Sequence, residues 1–418
     1  FGLCSALAGM ASSLGFLIFA RVLQGMAGGP LMPLSQTLLL RIFPKEKAGA
    51  ATGIWAMTTL VGPVLGPILG GWICDNYSWP WIFLINLPIA AACAWICWKI
   101  LRAYETKIVR NPIDVVGFVL LIIWVGALQI MLDEGKNLDW FSSNIIIGLA
   151  VIAIVGFAAF MIWELTEEHP IVDLRVFRHR GFSAAVLTIS LTFAGFFAAN
   201  VLTPLWLQSF MAYTATDAGM TTAWIGIMAF LTAPAVAGMS MKMDPRKLVF
   251  VGVLWLGLMT LYRTVATTDM TYWDVALPLM LLGLGMPFFF IPSTAAALAS
   301  VDEAETNSAA GLMNFMRTLS GAIATSMVTS YWEDEITRNR AELVGVIDPA
   351  QITYNQLIAQ GMPDAQATVV LERMVTEQSV MLATNELMLV VALILIFSAF
   401  VIWLVPKPTR TIDPSAAH

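Results

Sequence analysis

The sequence predicts an all-α protein that crosses a lipid bilayer many times. Of its 418 residues, 58% are hydrophobic and 12% are charged, whereas soluble domains carry about 25% charged residues. The apolar residues also fall in runs of about twenty, which is the length of a membrane-spanning helix. Membrane β-barrels are excluded, because their strands alternate apolar and polar residues over about ten positions.

Eleven segments are long enough to span a bilayer, and residues 1–12 resemble the end of a twelfth. The chain begins inside this apolar stretch at Phe1 rather than at a methionine, so we expect an N-terminally truncated sequence. The predicted spans are 14–40, 48–74, 80–101, 113–132, 144–164, 182–207, 218–241, 247–266, 274–298, 307–332 and 379–405.

Basic residues are concentrated in alternate loops, and this asymmetry predicts the orientation of the chain. The opposite short loops hold little more than Lys136, with Arg263 near a helix end. We therefore expect the basic loops and the C-terminus to be cytoplasmic. The basic loops contain Arg41, Lys45, Lys47, Lys99, Arg102, Lys107, Arg110, Arg175, Arg178, Arg180, Lys242, Arg246, Lys247, Lys407 and Arg410.

Glycine recurs at every fourth residue in segment 62–71, which reads GPVLGPILGG within a longer apolar run. Residues four apart form one stripe down a helix, and a glycine stripe lets a neighbouring backbone come close. The two prolines each remove a backbone donor and bend the helix. We predict a bent helix, packed through the stripe Gly62, Gly66 and Gly70 at an interface between helices. The residues that define this segment are Gly62, Pro63, Gly66, Pro67, Gly70 and Gly71.

Two pairs of segments repeat along the chain. The first pair is GMAGGPLMPLSQTLLL at 25–40 and GLGMPFFFIPSTAAAL at 283–298, and the second is AGAATGIWAMTTLVG at 48–62 and NSAAGLMNFMRTLSG at 307–321. Pro33 matches Pro292 and Gly53 matches Gly311, so the register holds across the connecting loop. A parallel repeat of two helix bundles is the pattern of the major facilitator transporters, whose halves move around a central site.

Two longer connections divide the chain. Segment 333–378 is polar, has helical periodicity and is predicted on the outer side, where connections of this length are usually functional or disordered. Segment 164–181 is of mixed charge and is typical of a cytoplasmic linker. The predicted parts are 1–101, the remainder of an N-terminal helix bundle; 102–181, two extra transmembrane helices and the linker; and 182–418, a C-terminal helix bundle.

Arg21 interrupts an apolar span, with Gln24 and Gly25 one turn later. A charge inside a span is costly and normally faces a cavity or a partner. In the functional hypothesis, Arg21 tunes the pKa of a nearby acid and couples proton movement to a transport cycle. In the structural alternative, its side chain reaches the outer interface. Its position more than a turn inside the span favours the functional hypothesis.

Two further charges lie within predicted spans; both are candidate proton-coupling residues, and the sequence leaves the role of each open. Arg317, one turn after Asn314, is positioned to pair with an acid or orient a substrate, or to clamp two helices. Glu386 follows Asn385. A carboxyl group in low dielectric can exchange a proton near neutrality, whereas an interfacial one reaches the outer water.

Aromatic and methionine side chains line several spans together with a few neutral polar groups. A wide apolar cavity with few polar groups suits amphiphilic ligands, and methionine surfaces adapt to many shapes. Any single one of these residues is more often structural than in contact with a ligand. The candidate cavity residues are Gln36, Trp55, Gln129, Phe197, Asn200 and Asn314.

No motif predicts a cofactor, a metal ion or nucleic-acid binding. Cys93 and Cys97 lie one helical turn apart in an apolar helix, which is neither a redox nor a zinc spacing. The three histidines lack partners at metal-ligand spacing, and the sequence has no basic cluster typical of a nucleic-acid reader.

Several motifs resemble one family. The run Gly62 to Gly71 resembles the antiporter motif in the fifth helix of major facilitator drug exporters, and ARVLQGMAGGPLMPL resembles their fourth-helix motif with Arg21, Gln24 and Gly25. The segments SWPWIFLINLP, LDEGKNLDWF and GLMNFMRTLSGAIATS are similar to those of fourteen-span drug:proton antiporters of the EmrB type. The resemblance covers essentially the whole chain.

This resemblance implies a major facilitator fold with two pseudo-symmetric helix bundles, two extra linker spans and the first spans missing. It implies proton-driven export of hydrophobic drugs and uncouplers across the inner membrane of a Gram-negative bacterium. It also implies a periplasmic adaptor of the membrane-fusion type, with segment 333–378 as its contact, and an outer-membrane channel. Arg21 would be the coupling arginine, and Gly62 to Gly71 would seal the outward leak path.

The sequence also departs from the family pattern. The first two spans and the glycine-aspartate-arginine loop after the second are absent, which leaves the family's proton-binding acid unassigned. Pro80 stands where the family often has arginine, so Asp75 has no obvious partner in the sequence.

Two alternatives to a multidrug exporter stay open. The nearer one is a dedicated exporter of a single amphiphile, such as a siderophore or a fatty acid. The more distant one is a membrane-embedded enzyme or sensor. Such enzymes usually cluster carboxylates, histidine or a nucleophile at one membrane face, and the sequence shows no such cluster.

Overall fold

The computed structural model describes residues 1–44, 55, 58–59, 61–102, 114–240, 242–267, 269–302, 305–345, 347–359 and 361–406, and the regular elements in these ranges are all helical. Several predictions fall outside the described residues. They concern the start of span 48–74, Gly53, the C-terminus, and the loop residues Lys45, Lys47, Lys107, Arg110, Lys407 and Arg410.

Residues 1–166 form eight of the described helices. They are α1 (Gly2–Gly9), α2 (Leu14–Gly28), α3 (Leu31–Ile42), α4 (Val61–Asn76), α5 (Trp81–Leu84), α6 (Asn86–Leu101), α7 (Val115–Glu134) and α8 (Asn144–Thr166). The predicted span 14–40 contains α2 and α3, which Gly29 and Pro30 join with helical backbone angles, so that Leu14–Leu39 forms one apolar segment of 26 residues. Pro30 explains the division into two helices, because it lacks the backbone N–H that would continue the hydrogen-bond pattern.

Seven further described helices follow. They are α9 (Arg180–Phe210), α10 (Ala215–Ser240), α11 (Pro245–Tyr262), α12 (Tyr272–Ala299), α13 (Thr306–Gly345), α14 (Ile347–Ala359) and α15 (Asp364–Val401). In the described part of the chain, each of the eleven predicted spans overlaps one or two of these helices. Nine helical segments there are long and apolar enough to cross a membrane. The all-α polytopic fold class is confirmed.

Local side-chain chemistry fixes several helix starts. Ser13 accepts a hydrogen bond from the amide of Phe16 at 3.3 Å, and Asp114 accepts one from the amide of Gly117 at 2.8 Å. At the start of α12, Thr271 and Asp274 form a capping box. These contacts satisfy amides that have no partner within the helix. The starts of α2, α7 and α12 are thus encoded by the residue just before each apolar run.

The most extensive core lies among α9 to α15. Helices α9 and α12 are its centre, and their large buried side chains include Phe182, Leu202, Leu279 and Phe289. The pair α7 and α8 packs separately, and a Cβ added to Gly156 would lie 3.0 Å from the Cβ of Trp124. We call α7 and α8 the accessory pair. The outward faces of these helices are apolar and exposed, as expected of surfaces that contact lipid.

Chain contacts define two ends of the helical assembly. At one end, Arg178 pairs with Glu305 at 2.7 Å, and Arg246 donates to the carbonyl of Val405 at 3.2 Å. We call this the C-terminal end. Arg178 and Arg246 belong to the basic set that the sequence predicts on the cytoplasmic side. Which side of the membrane this end faces stays a prediction.

At the opposite end, two helices extend far beyond a bilayer. Helix α13 has 40 residues and α15 has 38, which corresponds to about 60 Å each at about 1.5 Å per residue. The hydrocarbon core of a bilayer is only about 30 Å thick. Their polar parts and α14 make up segment 333–378, which we call the arm. Its helical periodicity is confirmed, and Arg340 pairs with Glu372 across it at 2.8 Å.

Candidate functional site

Helices α4 and α10 approach each other at backbone distance. A Cβ built on Gly71 would lie 2.4 Å from the carbonyl oxygen of Ala215, and one built on Gly219 would lie 2.2 Å from the carbonyl oxygen of Pro67. No side chain fits at either position without moving backbone atoms. The predicted close-packed interface at segment 62–71 therefore exists, and it joins the first part of the chain to the last.

The predicted contact face of α4 is wrong. No heavy atom of a described residue lies within 4 Å of a Cβ built on Gly62, Gly66 or Gly70. The contact instead uses Pro67 and Gly71, which form the neighbouring i, i+4 row, about 100° further around the helix. Segment 62–71 contains both rows, and spacing alone does not tell which row meets the partner. Pro63 belongs to the contacting row, but its side chain lies outside the described residues.

Asp75 extends the same interface. Its Oδ2 accepts a hydrogen bond from the amide of Thr216 at 2.7 Å, at the first turn of α10. The sequence leaves Asp75 without a partner, and the structure supplies one from a helix 140 positions further along. The side chain and the backbone amide of Thr216 both lower the pKa of Asp75 by hydrogen bonding to its charged form. This carboxylate therefore links α4 to the start of α10.

This link predicts a pH dependence. Because the folded pKa of Asp75 lies below its ordinary value of 3.8, Asp75 stabilises the fold fully above that value and loses this effect as the pH falls through the folded pKa. We expect Asp75→Ala to melt at a lower temperature than the wild type at pH 7. The difference should be smaller at pH 3 than at pH 7, because the carboxyl group takes up a proton as the pH falls. Thermal unfolding in detergent measures it, and a difference that is equal at both pH values would contradict the assignment.

A cavity of about 740 Å³ lies where three parts of the chain meet. They are the helices before residue 102, which we call the first helices; the accessory pair; and α9 to α15, which we call the last helices. Its wall is mainly aromatic and aliphatic, and its polar groups are few. The first helices contribute Met32, Thr59 and Gly62; the accessory pair contributes Gln129 and Asp133; and the last helices contribute Phe193, Phe196, Phe197, Met286, Phe290, Arg317, Thr318, Gly321, Ala322, Thr325 and Ser326. A cavity of this size and composition suits a drug-sized amphiphile.

Of the six predicted cavity residues, two line the cavity, one lies next to it and three do not line it. Gln129 and Phe197 line the cavity. Trp55 lies next to it, because its indole stacks on Phe290 with ring centroids 6.0 Å apart. The side-chain amide of Asn314 donates to the carbonyl of Ala310 within its own helix.

The structure does not place Gln36, Asn200 or Asn314 in the cavity wall. Gln36 is buried on α3, and neither atom of its amide group has a hydrogen-bond partner in the described part of the chain. The sequence predicted these polar residues as ligand contacts because polar groups are rare in apolar spans. It does not show which face of each helix lines the cavity.

Arg317 is the positive charge of the cavity. Its guanidinium carbon lies 5.0 Å from the ring centroid of Phe193 and 5.5 Å from that of Phe290. The faces of aromatic rings attract cations, so these contacts hold the charge without neutralising it. No ion pair joins Arg317 to an acid among the described residues. Of the three roles that the sequence leaves open for Arg317, orienting a substrate fits this geometry better than pairing with an acid or clamping two helices.

Asp133 is a cavity residue that the sequence analysis missed. Its carboxylate accepts hydrogen bonds from Nε2 of Gln129 at 3.0 and 3.1 Å and from the hydroxyl of Ser326. Gln129 also donates to Ser326 at 2.9 Å, so the three side chains form one network between α7 and α13. The sequence analysis did not identify Asp133 because it lies one residue past the predicted end of its span. The available signal was Gln129 four residues earlier, on the same helix face.

Arg21 and Gln24 are in contact, as their spacing indicates. Nη1 of Arg21 donates to Oε1 of Gln24 at 2.5 Å, and Nε2 of Gln24 donates to Ser5 at 2.5 Å. The guanidinium also lies 5.5 Å from the ring centroid of Phe83. Arg21 is exposed and is not part of the cavity wall. No described carboxylate pairs with it, so its role in proton coupling stays a prediction.

Glu386 also lies away from the cavity. It is exposed on α15, and its Oε2 accepts a hydrogen bond from Asn339 at 3.5 Å near the base of the arm. This position fits the interfacial alternative better than a buried proton site. The structure thus separates Glu386 from Arg317, although the sequence grouped them as candidate coupling charges.

Within the described residues, the structure shows one cluster of side chains with metal-ligand chemistry that the sequence did not reveal. His179 lies 2.9 Å from Glu305, and Asp302 is close to both. Arg178 pairs with Glu305 at 2.7 Å and with Asp302 at 3.7 Å. Because a guanidinium already faces these carboxylates, the cluster is an ion-pair network that ties the start of α9 to the loop before α13.

Comparison with known proteins agrees with this architecture. The family model of the Major Facilitator Superfamily matches residues 1–325. The "Multidrug export protein EmrB" of Haemophilus influenzae is 41% identical over 416 residues, covering 98% of this chain and 82% of the relative. The "Fatty acid resistance protein FarB" of Neisseria gonorrhoeae is 38% identical, covering 98% of this chain and 81% of the relative.

A solved structure shows the same fold at low sequence identity. The POT family transporter PepTSo superposes with a TM-score of 0.53 at 16% identity, covering 97% of this chain and 81% of the neighbour. At this identity the likeness concerns the arrangement of helices alone.

Proposed function

Because the chain belongs to the major facilitator superfamily, and within it to the EmrB-type multidrug exporters, we propose that it exports hydrophobic and amphiphilic compounds by alternating access. The observation that carries this proposal is the cavity of about 740 Å³ at the junction of the three parts of the chain. Aromatic and methionine walls bind many shapes, whereas the few polar groups fix little about ligand identity. Membership of a transporter family supports a transporter rather than an enzyme.

We propose that the proton gradient drives this export and that Arg21 couples proton movement to it. The protein would lie in the inner membrane with the C-terminal end and the C-terminus in the cytoplasm, in keeping with the basic residues Arg178 and Arg246 at that end. Substrate would then leave toward the end that carries the arm. The contact between α4 and α10 lies at this same end, where it would open and close the exit.

We also propose that the arm binds a periplasmic adaptor of the membrane-fusion type, which would connect the transporter to an outer-membrane channel. The arm extends beyond the span of a bilayer and is polar. Its own ion pairs, such as Arg373 with Glu377 at 2.7 Å, keep it helical. A helical surface of this kind offers charged groups to a protein partner outside the membrane.

Dye efflux tests the proposed function. Cells that lack their own drug pumps would express the full-length protein, and accumulation of a fluorescent lipophilic dye would be compared with that in cells carrying an empty vector. We expect lower accumulation in energised cells and no difference after addition of an uncoupler. Equal accumulation, with the protein present in the membrane fraction, would contradict the proposal.

Arg21→Ala is expected to abolish this efflux while leaving expression unchanged. The substitution removes the guanidinium that binds Gln24, and with it the positive charge required for coupling. The same dye assay measures the effect, and Arg175→Ala is the matched control because Arg175 is an exposed arginine in the linker. If Arg21→Ala keeps wild-type efflux, Arg21 has no coupling role.

A dedicated exporter of a fatty acid is the second candidate function. The relative named for fatty acid resistance, at 38% identity, favours this narrower substrate range. A panel of neutral, cationic and anionic amphiphiles separates the two candidates. Protection against long-chain fatty acids alone would favour the dedicated exporter, whereas protection against several unrelated structures would favour a multidrug pump.

A further inference from the structure

The cavity has two opposite charges that do not neutralise each other. Asp133, on α7, contacts Ser326 on α13. Arg317 is also on α13, nine residues before Ser326. Nine residues of α-helix correspond to about 13 Å of rise. The carboxylate and the guanidinium are therefore too far apart for an ion pair, although both face the same apolar volume.

The Asp133 end carries a negative charge that only neutral groups contact. Its hydrogen-bond donors are the amide of Gln129 and the hydroxyl of Ser326. The nearest basic residue along the chain is Lys136, which is engaged elsewhere, with Glu333 at 3.0 Å and Asp334 at 3.1 Å. No described cation pairs with Asp133. The acidic neighbours Glu333 and Asp334 add further negative potential near this end.

The Arg317 end carries a positive charge that only aromatic rings contact. Phe193 and Phe290 present their faces to the guanidinium, and both rings are themselves buried in the cavity wall. Ring faces leave the N–H groups of arginine free for an acceptor. None of these N–H groups has a hydrogen bond to a described residue, so they remain available to a ligand.

We propose that the cavity sorts amphiphiles by charge, with a lipophilic cation placing its charge at Asp133 and a lipophilic anion placing its charge at Arg317. This inference rests on the proposed function of the cavity as the drug site. Apolar walls strengthen the attraction between a ligand charge and a fixed opposite charge, more at the half-buried Arg317 than at the exposed Asp133. The shared aromatic wall at Phe196 and Phe197 would hold the apolar body of either ligand.

The inference also gives the accessory pair a role. Asp133 lies on α7, outside the two bundles that the repeat predicts, yet its side chain reaches the central cavity. In the described part of the chain the accessory pair thus supplies the cavity's negative charge. Cation export would depend on the charge that α7 supplies, while anion export would depend on the charge that α13 supplies.

Two probes of nearly equal shape and opposite charge test the proposal. Tetraphenylphosphonium and tetraphenylborate would be bound to the full-length protein in nanodiscs by equilibrium dialysis, with empty nanodiscs subtracted. We expect Asp133→Asn to weaken phosphonium binding at least tenfold and to change borate binding less than threefold. Arg317→Gln should do the reverse. Asp133→Glu, which keeps the charge, should retain phosphonium binding.

Glu134→Gln is the matched control, because it removes the same charge one residue away. Glu134 binds Asn137 and does not line the cavity. Both probes should bind this variant as they bind the wild type. Each variant's melting temperature would exclude unfolding. If Asp133→Asn and Arg317→Gln affect both probes alike, charge sorting is wrong while the drug cavity stands. If the wild type binds neither probe, the drug cavity itself is wrong.

Discussion

Gly71→Ala and Gly219→Ala are each expected to reduce dye efflux at least tenfold. The new methyl group would lie 2.4 Å from the carbonyl oxygen of Ala215 in the first variant and 2.2 Å from that of Pro67 in the second. Both obstacles are backbone atoms of a packed helix, which cannot rotate away as a side chain can. Overpacking of this kind costs about 1–3 kcal/mol, and here it would separate α4 from α10 at the exit.

Gly70→Ala is the matched control for this prediction. It adds the same methyl group one residue away, where no described heavy atom lies within 4 Å of the new Cβ. Its efflux should equal that of the wild type. Efflux and surface expression would be measured together for the three variants. If Gly70→Ala is as harmful as Gly71→Ala, the original stripe Gly62, Gly66 and Gly70 carries the function, and the contact with α10 does not.

Trp55→Ala is expected to remove most transport and to lower the melting temperature. The indole is 4% exposed, stacks on Phe290 with an interplanar angle of 15°, and donates to the hydroxyl of Ser35 at 3.0 Å. It therefore joins the first helices to the cavity wall. Truncating a buried tryptophan to alanine costs about 3–5 kcal/mol. The loss would leave Phe290 without support beside Arg317.

Trp98→Ala serves as the control for Trp55→Ala. Trp98 is 73% exposed on α6, so its truncation removes an aromatic residue of equal size from an unpacked position. Thermal unfolding and dye efflux should both be close to wild type. Trp55→Phe, which keeps an aromatic ring against Phe290, is expected to recover part of the transport. If the Trp55→Ala protein has normal stability and efflux, the stacking of Trp55 on Phe290 contributes to neither.

The sequence predicts where the helices lie, but not which face of each helix contacts its neighbours. Runs of about twenty apolar residues identify spans because the bilayer sets that length. Within such a run almost every residue is apolar, so the sequence of α4 does not distinguish the row containing Gly71 from the row containing Gly70. Tertiary contact with α10 makes that choice.

The site shows the same limit in its polar residues. Arg317 is identifiable because a charge inside an apolar span is rare. Asp133 escaped notice because it lies just past the predicted end of α7, and helix ends are uncertain by one or two residues. Asp75 finds its partner in Thr216, far along the chain, and only the folded structure brings the two together.

Helix α13 runs without interruption from Thr306, through Arg317 and Ser326 in the cavity wall, to Gly345 in the arm. A continuous helix is stiff along its axis. A tilt of the part of α13 that lines the cavity would therefore move its far end near Gly345 as well. A fluorescent label near Gly345 would therefore report the occupancy of the cavity from outside the membrane. By the same geometry, a protein that grips the tip would restrict how the pump moves.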